Sequence, residues 1–244
     1  MRRAFIPTGG RFDLSIPLDP HGPQPSAYGA PPATARPYSG DGFTLDTRHG
    51  GPVNCDVLTL TPHCNGTHTE SVGHITGDRF PLSAVQLPVF VPCVVVSVAP
   101  SGREIRPEHL ELLPNTTAAL VVRTLPNDVS KRARRWENDT TPYFTPDAMR
   151  LVRAKGVAHL LVDLPSLDPL YDGGALAAHR AFWDVPPGSQ ELPSEEARRR
   201  TVTELIFVPD EVPDGAYLLS IHAPNIVADA VPSRPILFEL ESGE

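Results

Sequence analysis

Cysteine is scarce: Cys55, Cys64 and Cys93 are the three in 244 residues. So few, and an odd number, exclude a disulfide framework, and the thiols imply a reducing compartment. Positive charge is not in excess either. Lys and Arg number 21 against 29 Asp and Glu, a net charge of −8. That balance offers no electrostatic footprint for nucleic acid and disfavours an anionic membrane surface. A small molecule is the expected partner. Long apolar runs are also missing. The longest, at 89–99, is broken by Pro92 and falls well short of the roughly 20 residues that span a bilayer. Residues 1–7 carry two arginines with no apolar run behind them, so no secretory leader is expected and the expected location is cytoplasmic. No repeat and no linker divides the chain, which reads as one domain over 1–244.

Proline is what the chain has in plenty. Its 29 residues are more than twice the usual share of about 5%. They are scattered, so they mark rigid loops and reversals, not a polyproline rod. The hydrophobic fraction of 40% and the charged fraction of 20% are those of a folded protein, long enough to bury a substantial core.

Along the chain, residues 17–52 are rich in Pro, Gly, Ser and Asp and read as a long loop, functional or mobile. Residues 53–61 alternate and predict a strand; 89–98 and 118–124 are β-branched runs that predict buried strands. Thr145-Pro146-Asp147 opens a helix with a cap and a first-turn proline, and Gly156 ends it. Residues 157–164 follow as a strand. A second helix is predicted from Asp172-Gly173-Gly174 to Trp183, with His179 inside it. Residues 186–200 read as an inserted loop or short surface helix, and 201–208 and 216–223 as the last core strands. The mixture argues an α/β or α+β domain.

The chemistry concentrates in Cys64-Asn65-Gly66-Thr67-His68-Thr69-Glu70-Ser71-Val72-Gly73-His74. Four metal ligands or proton carriers lie within it: Cys64, His68, Glu70 and His74. Asn65-Gly66 is a turn signal, since glycine tolerates positive φ. A tight turn after a strand points Cys64 and His68 at one centre. Glu70, two residues on, shares a face with His68 in extended backbone. A single histidine is more often a surface or core residue than a ligand; four such groups around one turn raise the odds of a metal site, and spacing alone leaves both readings open. Cys55 and Cys93 read as small buried hydrophobes. His109 and His159 read as structural, His222 as a weak candidate for the pocket, and Trp136 and Tyr143 as candidate substrate-lining aromatics.

The motif resembles the HxGTHxDxPxH signature of the putative cyclase family, which includes bacterial kynurenine formamidases and isatin hydrolases. Gly66, Thr67, His68 and His74 are in register; Cys64 replaces His, Glu70 replaces Asp and Val72 replaces Pro. Further segments are similar in order: Asp13-Leu14-Ser15, GVAHLLVDLPSLDP at 156–169, LAAHRAFW at 176–183, Thr203-Glu204-Leu205, and 223–235. The interval from His179 to Glu204 is longer than usual, which the insertion at 186–200 explains.

The resemblance implies a swivelling β/β/α fold and metal-dependent hydrolysis of an amide, lactam or lactone. It places Cys64, His68 and Glu70 as ligands of a first ion, His179 and Glu204 as a second cluster, and His74 as the proton-transfer group. One or two ions are implied, and a homodimer or homotetramer. A thiolate at Cys64 favours Zn²⁺ over Mn²⁺. His63 is a rival to Cys64, but in an extended strand it points to the opposite face. The competing reading is a catalytically degenerate member that binds metal or ligand, with Cys64 and Glu70 as marks of decay.

Overall fold

Alternation within the apolar runs decides the architecture. The computed structural model describes residues 7–137 and 140–240. The expectation of no leader at the N-terminus falls mostly on residues 1–6, outside the described residues, as do Asn138 and Asp139. The strands of the main sheet are β1 (Pro7–Asp13), β2 (His68–Glu70), β3 (Val91–Val98), β4 (Ala119–Thr124), β5 (His159–Val162), β6 (Thr201–Glu204), β7 (Gly215–His222), β8 (Ala230–Pro232) and β9 (Arg234–Leu240). On β4, Ala119 and Val121 face one apolar cluster while Leu120 and Val122 face another. A strand buried on both faces belongs at the centre of a sheet with a layer on each side.

The nine strands lie in the order β1-β9-β7-β3-β4-β5-β6-β2-β8. The central β3, β4, β5 and β6 run parallel, and their neighbours on both sides are antiparallel. The sheet curls. Ser15, just past edge strand β1, bridges Ile206, just past β6. Within the curl, Leu14, Val95, Ile206, Leu219 and Leu237 form one cluster. Helices α1 (Pro146–Ala154) and α2 (Ala177–Trp183) cover the outer face through Met149, Val152, Phe182 and Trp183. This is the expected α/β fold of the swivelling β/β/α type.

Helix α1 follows its sequence signals: the Thr145 hydroxyl accepts from the Ala148 amide at 3.2 Å, and Gly156 takes φ 89°. Helix α2 begins later than expected. The Asp172 carboxylate accepts from the amides of Gly174 and Leu176 (2.8 and 2.6 Å), so 172–176 is a loop. The stretch predicted as a strand at 53–61 is extended over Asp56–Thr59, and pairs with Thr34–Pro37 outside the main sheet. Residues 17–52 are not structureless; they carry short paired segments, with Tyr38 and Phe43 exposed. The 186–200 insertion contains the short helix α3 (Glu195–Arg198). Strand β6 stops at Glu204 because Leu205 turns to φ 53°.

His159, on β5, is structural as expected. It is 6% exposed and hydrogen-bonds with the Thr201 hydroxyl at 2.9 Å. Burial lowers its pKa to about 4. Because the folded value lies below the unfolded value near 6.5, this stability is complete above about pH 6.5 and is lost as pH falls towards 4. The loss is worth about 3 kcal/mol at ~1.36 kcal/mol per pH unit. Urea unfolding of His159→Gln is expected to show a flatter pH dependence across that window than the natural protein. An unchanged slope would assign the loss to other groups.

Candidate metal centre

Strand β2 is three residues long and wholly buried, and its neighbours determine what it carries. It lies between β6 and β8, with His68 opposite Glu204 and Glu70 opposite Ala230. His68 and Glu70 are two apart and face one side of the sheet, as the spacing predicted. Cross-strand pairing adds Glu204 to that side. Gly66 makes the preceding turn at φ 80°, and its carbonyl accepts from His68 Nδ1 at 3.1 Å, which leaves Nε2 free for the site.

His179 arrives from α2. The Asp168 carboxylate accepts from the Ala178 and His179 amides at the start of the helix (2.6 and 3.2 Å) and from His179 Nδ1 (2.5 Å). One aspartate thus caps the helix and aims the ring. His179 Nε2 lies 3.1 Å from Glu70 Oε1 and 3.4 Å from Glu204 Oε1. Glu204 Oε2 lies 3.4 Å from His68 Nε2. His68, Glu70, His179 and Glu204, spread over 136 positions, meet in one buried cluster.

His63 is oriented otherwise than the sequence suggested. The strand ends at Thr59 and residues 62–64 form a turn, so the alternation that placed His63 on the opposite face does not apply. Its Nδ1 lies 3.0 Å from Glu70 Oε2, and its Nε2 lies 2.9 Å from Asp229 Oδ2. Burial works against charge on His63, but the Asp229 and Glu70 carboxylates outweigh it and lift its pKa to about 10.

Two groups of potential ligand atoms close to within 4.8 Å: His63, Glu70 and His74, and His68, Glu70 and Glu204. Glu70 belongs to both. Cys64 is in neither group but lines the same cavity, of about 400 Å³, with His63, His74 and Glu204. Burial, aided by the Glu204 charge, raises the Cys64 pKa.

Two atoms test whether a cation fits. His68 Nε2 and Glu70 Oε2 are buried and make no well-aligned hydrogen bond, although Glu204 Oε2 lies 3.4 Å from the first and His63 Nδ1 3.0 Å from the second. Buried polar atoms held at poor hydrogen-bond geometry carry part of a desolvation penalty that a better-placed partner removes. A divalent ion among these oxygen and nitrogen donors would satisfy both, so the residues fit one.

The sequence model of the family described as Putative cyclase matches residues 12–169. The chain belongs to the putative cyclase family. Its cyclase-family relatives include a kynurenine formamidase of Polaromonas naphthalenivorans, 30% identical over 198 residues that make up 78% of this chain and 77% of that protein. A kynurenine formamidase of Bordetella pertussis is 30% identical over 194 residues, 78% of this chain and 82% of that one. Among solved structures, isatin hydrolase A from Labrenzia aggregata bound to benzyl benzoate superposes with a TM-score of 0.66 at 17% identity, covering 95% of this chain and 94% of that one. A structure described as a potential metal-dependent hydrolase with cyclase activity gives a TM-score of 0.66 at 15% identity, covering 94% of this chain and 98% of that one.

Other sequence candidates go elsewhere in this cyclase fold. Trp136 is a core residue, Tyr143 hydrogen-bonds to Glu104, and His222 is exposed at the end of β7. Asp168 and Asp229 were not singled out as site residues. Asp168 lay within a segment that carried the resemblance. Asp229 likewise lay in the 223–235 segment that carried the resemblance, but its meeting with His63 spans 166 positions.

Proposed function

We propose that this protein is a metal-dependent hydrolase of a small, ring-bearing amide, of the arylformamide or lactam kind, with a lactone as the lesser alternative. The observation that carries this is the buried set His68, Glu70, His179 and Glu204, in which His68 Nε2 and Glu70 Oε2 make no well-aligned hydrogen bond, beside a cavity lined by His63, His74 and Glu204. The kynurenine formamidase relatives and the isatin hydrolase fold support the bond type. The Pro165, Pro169, Leu170 and Leu176 side of the cavity suits a ring.

His68, Glu70, His179 and Glu204 would hold one or two ions, and Glu70 belongs to both groups of potential ligands. Bound there, a divalent ion supplies Lewis acidity, which polarises a carbonyl and makes water more acidic. The Asp168 carboxylate and the Gly66 carbonyl fix the tautomers of His179 and His68, so that each presents Nε2 to the centre. His74 takes a proton from water and returns it to the departing amine nitrogen. Water thereby adds across the C–N bond to give acid and amine. Zn²⁺ is our choice of metal, with Mn²⁺ next, because nitrogen and oxygen donors suit both.

We propose that His63, losing its Nδ1 proton when a cation binds while Asp229 accepts from Nε2, takes the donor position that the resemblance assigns to Cys64, with Cys64 contributing less. Elemental analysis decides between them. His63→Ala is expected to lower zinc affinity at least about 10-fold, the scale of a lost ligand or its support, and Cys64→Ser to lower it less. The opposite order would return the role to Cys64.

We also read 1–244 as one domain in a cytoplasmic homodimer or homotetramer, with the exposed arm around Tyr38 and Phe43 as a natural contact. Among the described residues, no helix is long and apolar enough to cross a membrane. The test of function is turnover by the zinc-loaded protein of N-formylaniline, isatin and an aryl lactone. Hydrolysis of at least one carbon–nitrogen bond is expected, and none across the panel would overturn the reading.

A further inference from the structure

Tyr28 is held in an unusual backbone conformation. It sits at φ 56°, followed by Gly29 at φ 66°. A left-handed conformation costs a residue with a side chain about 1 kcal/mol, and such strain persists where the surroundings impose it. They do so here. The Ala27 amide donates to the Cys64 carbonyl at 3.1 Å, and Ser26 and Ala27 pair with Arg135 and Trp136. The segment is strapped on one side to the turn that carries the metal-binding motif. Tyr28 is thereby placed in the wall of the cavity beside His63, His74 and Glu204.

Tyr28 is 44% exposed as a residue, yet it lines the cavity with His63, His74, Ser166 and Glu204. Ser166 is buried on the loop that carries Asp168. The other polar groups in this wall have tasks already. His63, His74 and Glu204 belong to the charged centre, and Asp172 is occupied by the amides of Gly174 and Leu176. Pro165, Pro169, Leu170 and Leu176 are apolar. Tyr28 and Ser166 therefore supply hydroxyl donors where an uncharged carbonyl substrate would lie.

We propose that Tyr28 is a catalytic residue whose hydroxyl, beside Ser166 in the cavity wall, donates a hydrogen bond to the carbonyl oxygen of the substrate as negative charge develops there. The inference rests on reading the cavity as an amide hydrolase site. Burial also raises the phenol pKa to about 12, so the proton remains available for donation at neutral pH. A hydrogen bond that strengthens as charge develops acts on kcat more than on KM.

The test is Tyr28→Phe, which keeps the ring and removes only the hydroxyl. With N-formylaniline or isatin, kcat is expected to fall about 10²–10³-fold, the usual cost of losing one such donor. KM, zinc content and melting temperature should change little. Ser166→Ala should give a smaller loss, since the phenol remains and only the hydroxyl beside it is removed. Isatin binding, followed by calorimetry, separates this proposal from the functional reading. If the natural protein hydrolyses nothing yet binds isatin, and Tyr28→Phe weakens that binding at least about 10-fold, the hydrolase reading fails and the Tyr28 contact stands. If Tyr28→Phe matches the natural protein within twofold in both kcat and isatin affinity, or if the natural protein neither turns over nor binds isatin, the proposal is overturned.

Discussion

His74→Ala is expected to lower kcat by about 10²–10⁴-fold, the usual share of acid–base catalysis, while the bound metal stays in place. His74 stands in the short turn Val72–Ile75, where the Ser71 hydroxyl accepts from the Gly73 amide. Gly73 passes so close to Phe80 that an added Cβ would lie 2.1 Å from its carbonyl oxygen. The turn is therefore rigid, and it leaves the side chain 28% exposed at the cavity. The His74 ring lies 4.2 Å from that of His63, and its Nδ1 is 3.8 Å from Glu70 Oε2. Burial lowers its pKa against the pull of Glu70. The free base is thus favoured near neutral pH, the form that accepts a proton. A binding site has no use for such a group. An unchanged kcat in His74→Ala would remove this role and leave the metal site standing. If the natural protein is inactive and Cys64→His with Glu70→Asp turns hydrolysis on, the chain is a degenerate member that binds without turnover.

Replacing Glu70 should do more. Glu70→Gln is expected to lose the metal and with it nearly all activity, because this one carboxylate belongs to both groups of potential ligands. Glu70 is fully buried. Burial opposes its charge, but His74 and His179 outweigh that and hold the pKa well below the usual carboxylate range. The amide would leave His63 and His179 without their shared counter-charge, and breaking a buried pair in this way costs about 3–5 kcal/mol. The melting temperature should distinguish the two consequences. Added zinc should raise that of the natural protein, by the equivalent of about 2.7 kcal/mol at a hundredfold excess over Kd. Glu70→Gln should melt lower and respond to zinc little or not at all. A variant that retains stoichiometric zinc would move the centre away from Glu70.

Local pattern alone sufficed for the core strands, predicted at 89–98 and 118–124 and found at Val91–Val98 and Ala119–Thr124, for the caps of α1, and for the His68–Glu70 pair. Each is local: β-branched runs, a hydroxyl three residues before an amide, or two side chains alternating on extended backbone declare themselves within a few positions. With the resemblance added, His179 and Glu204 were also legible. Tertiary structure decided the rest. Glu204 reaches His68 because two strands pair across 136 positions. Asp229 reaches His63 through the edge strand β8, which no run of residues announced. His63 itself faces inward because residues 62–64 turn, and strand alternation has no meaning in a turn. Tyr28 faces the cavity because its neighbours are tied to the motif and to the 135–136 segment. Periodicity determines which face of its own element a residue occupies, whereas the partner on that face is selected by chain closure over long separations, which local preferences do not encode.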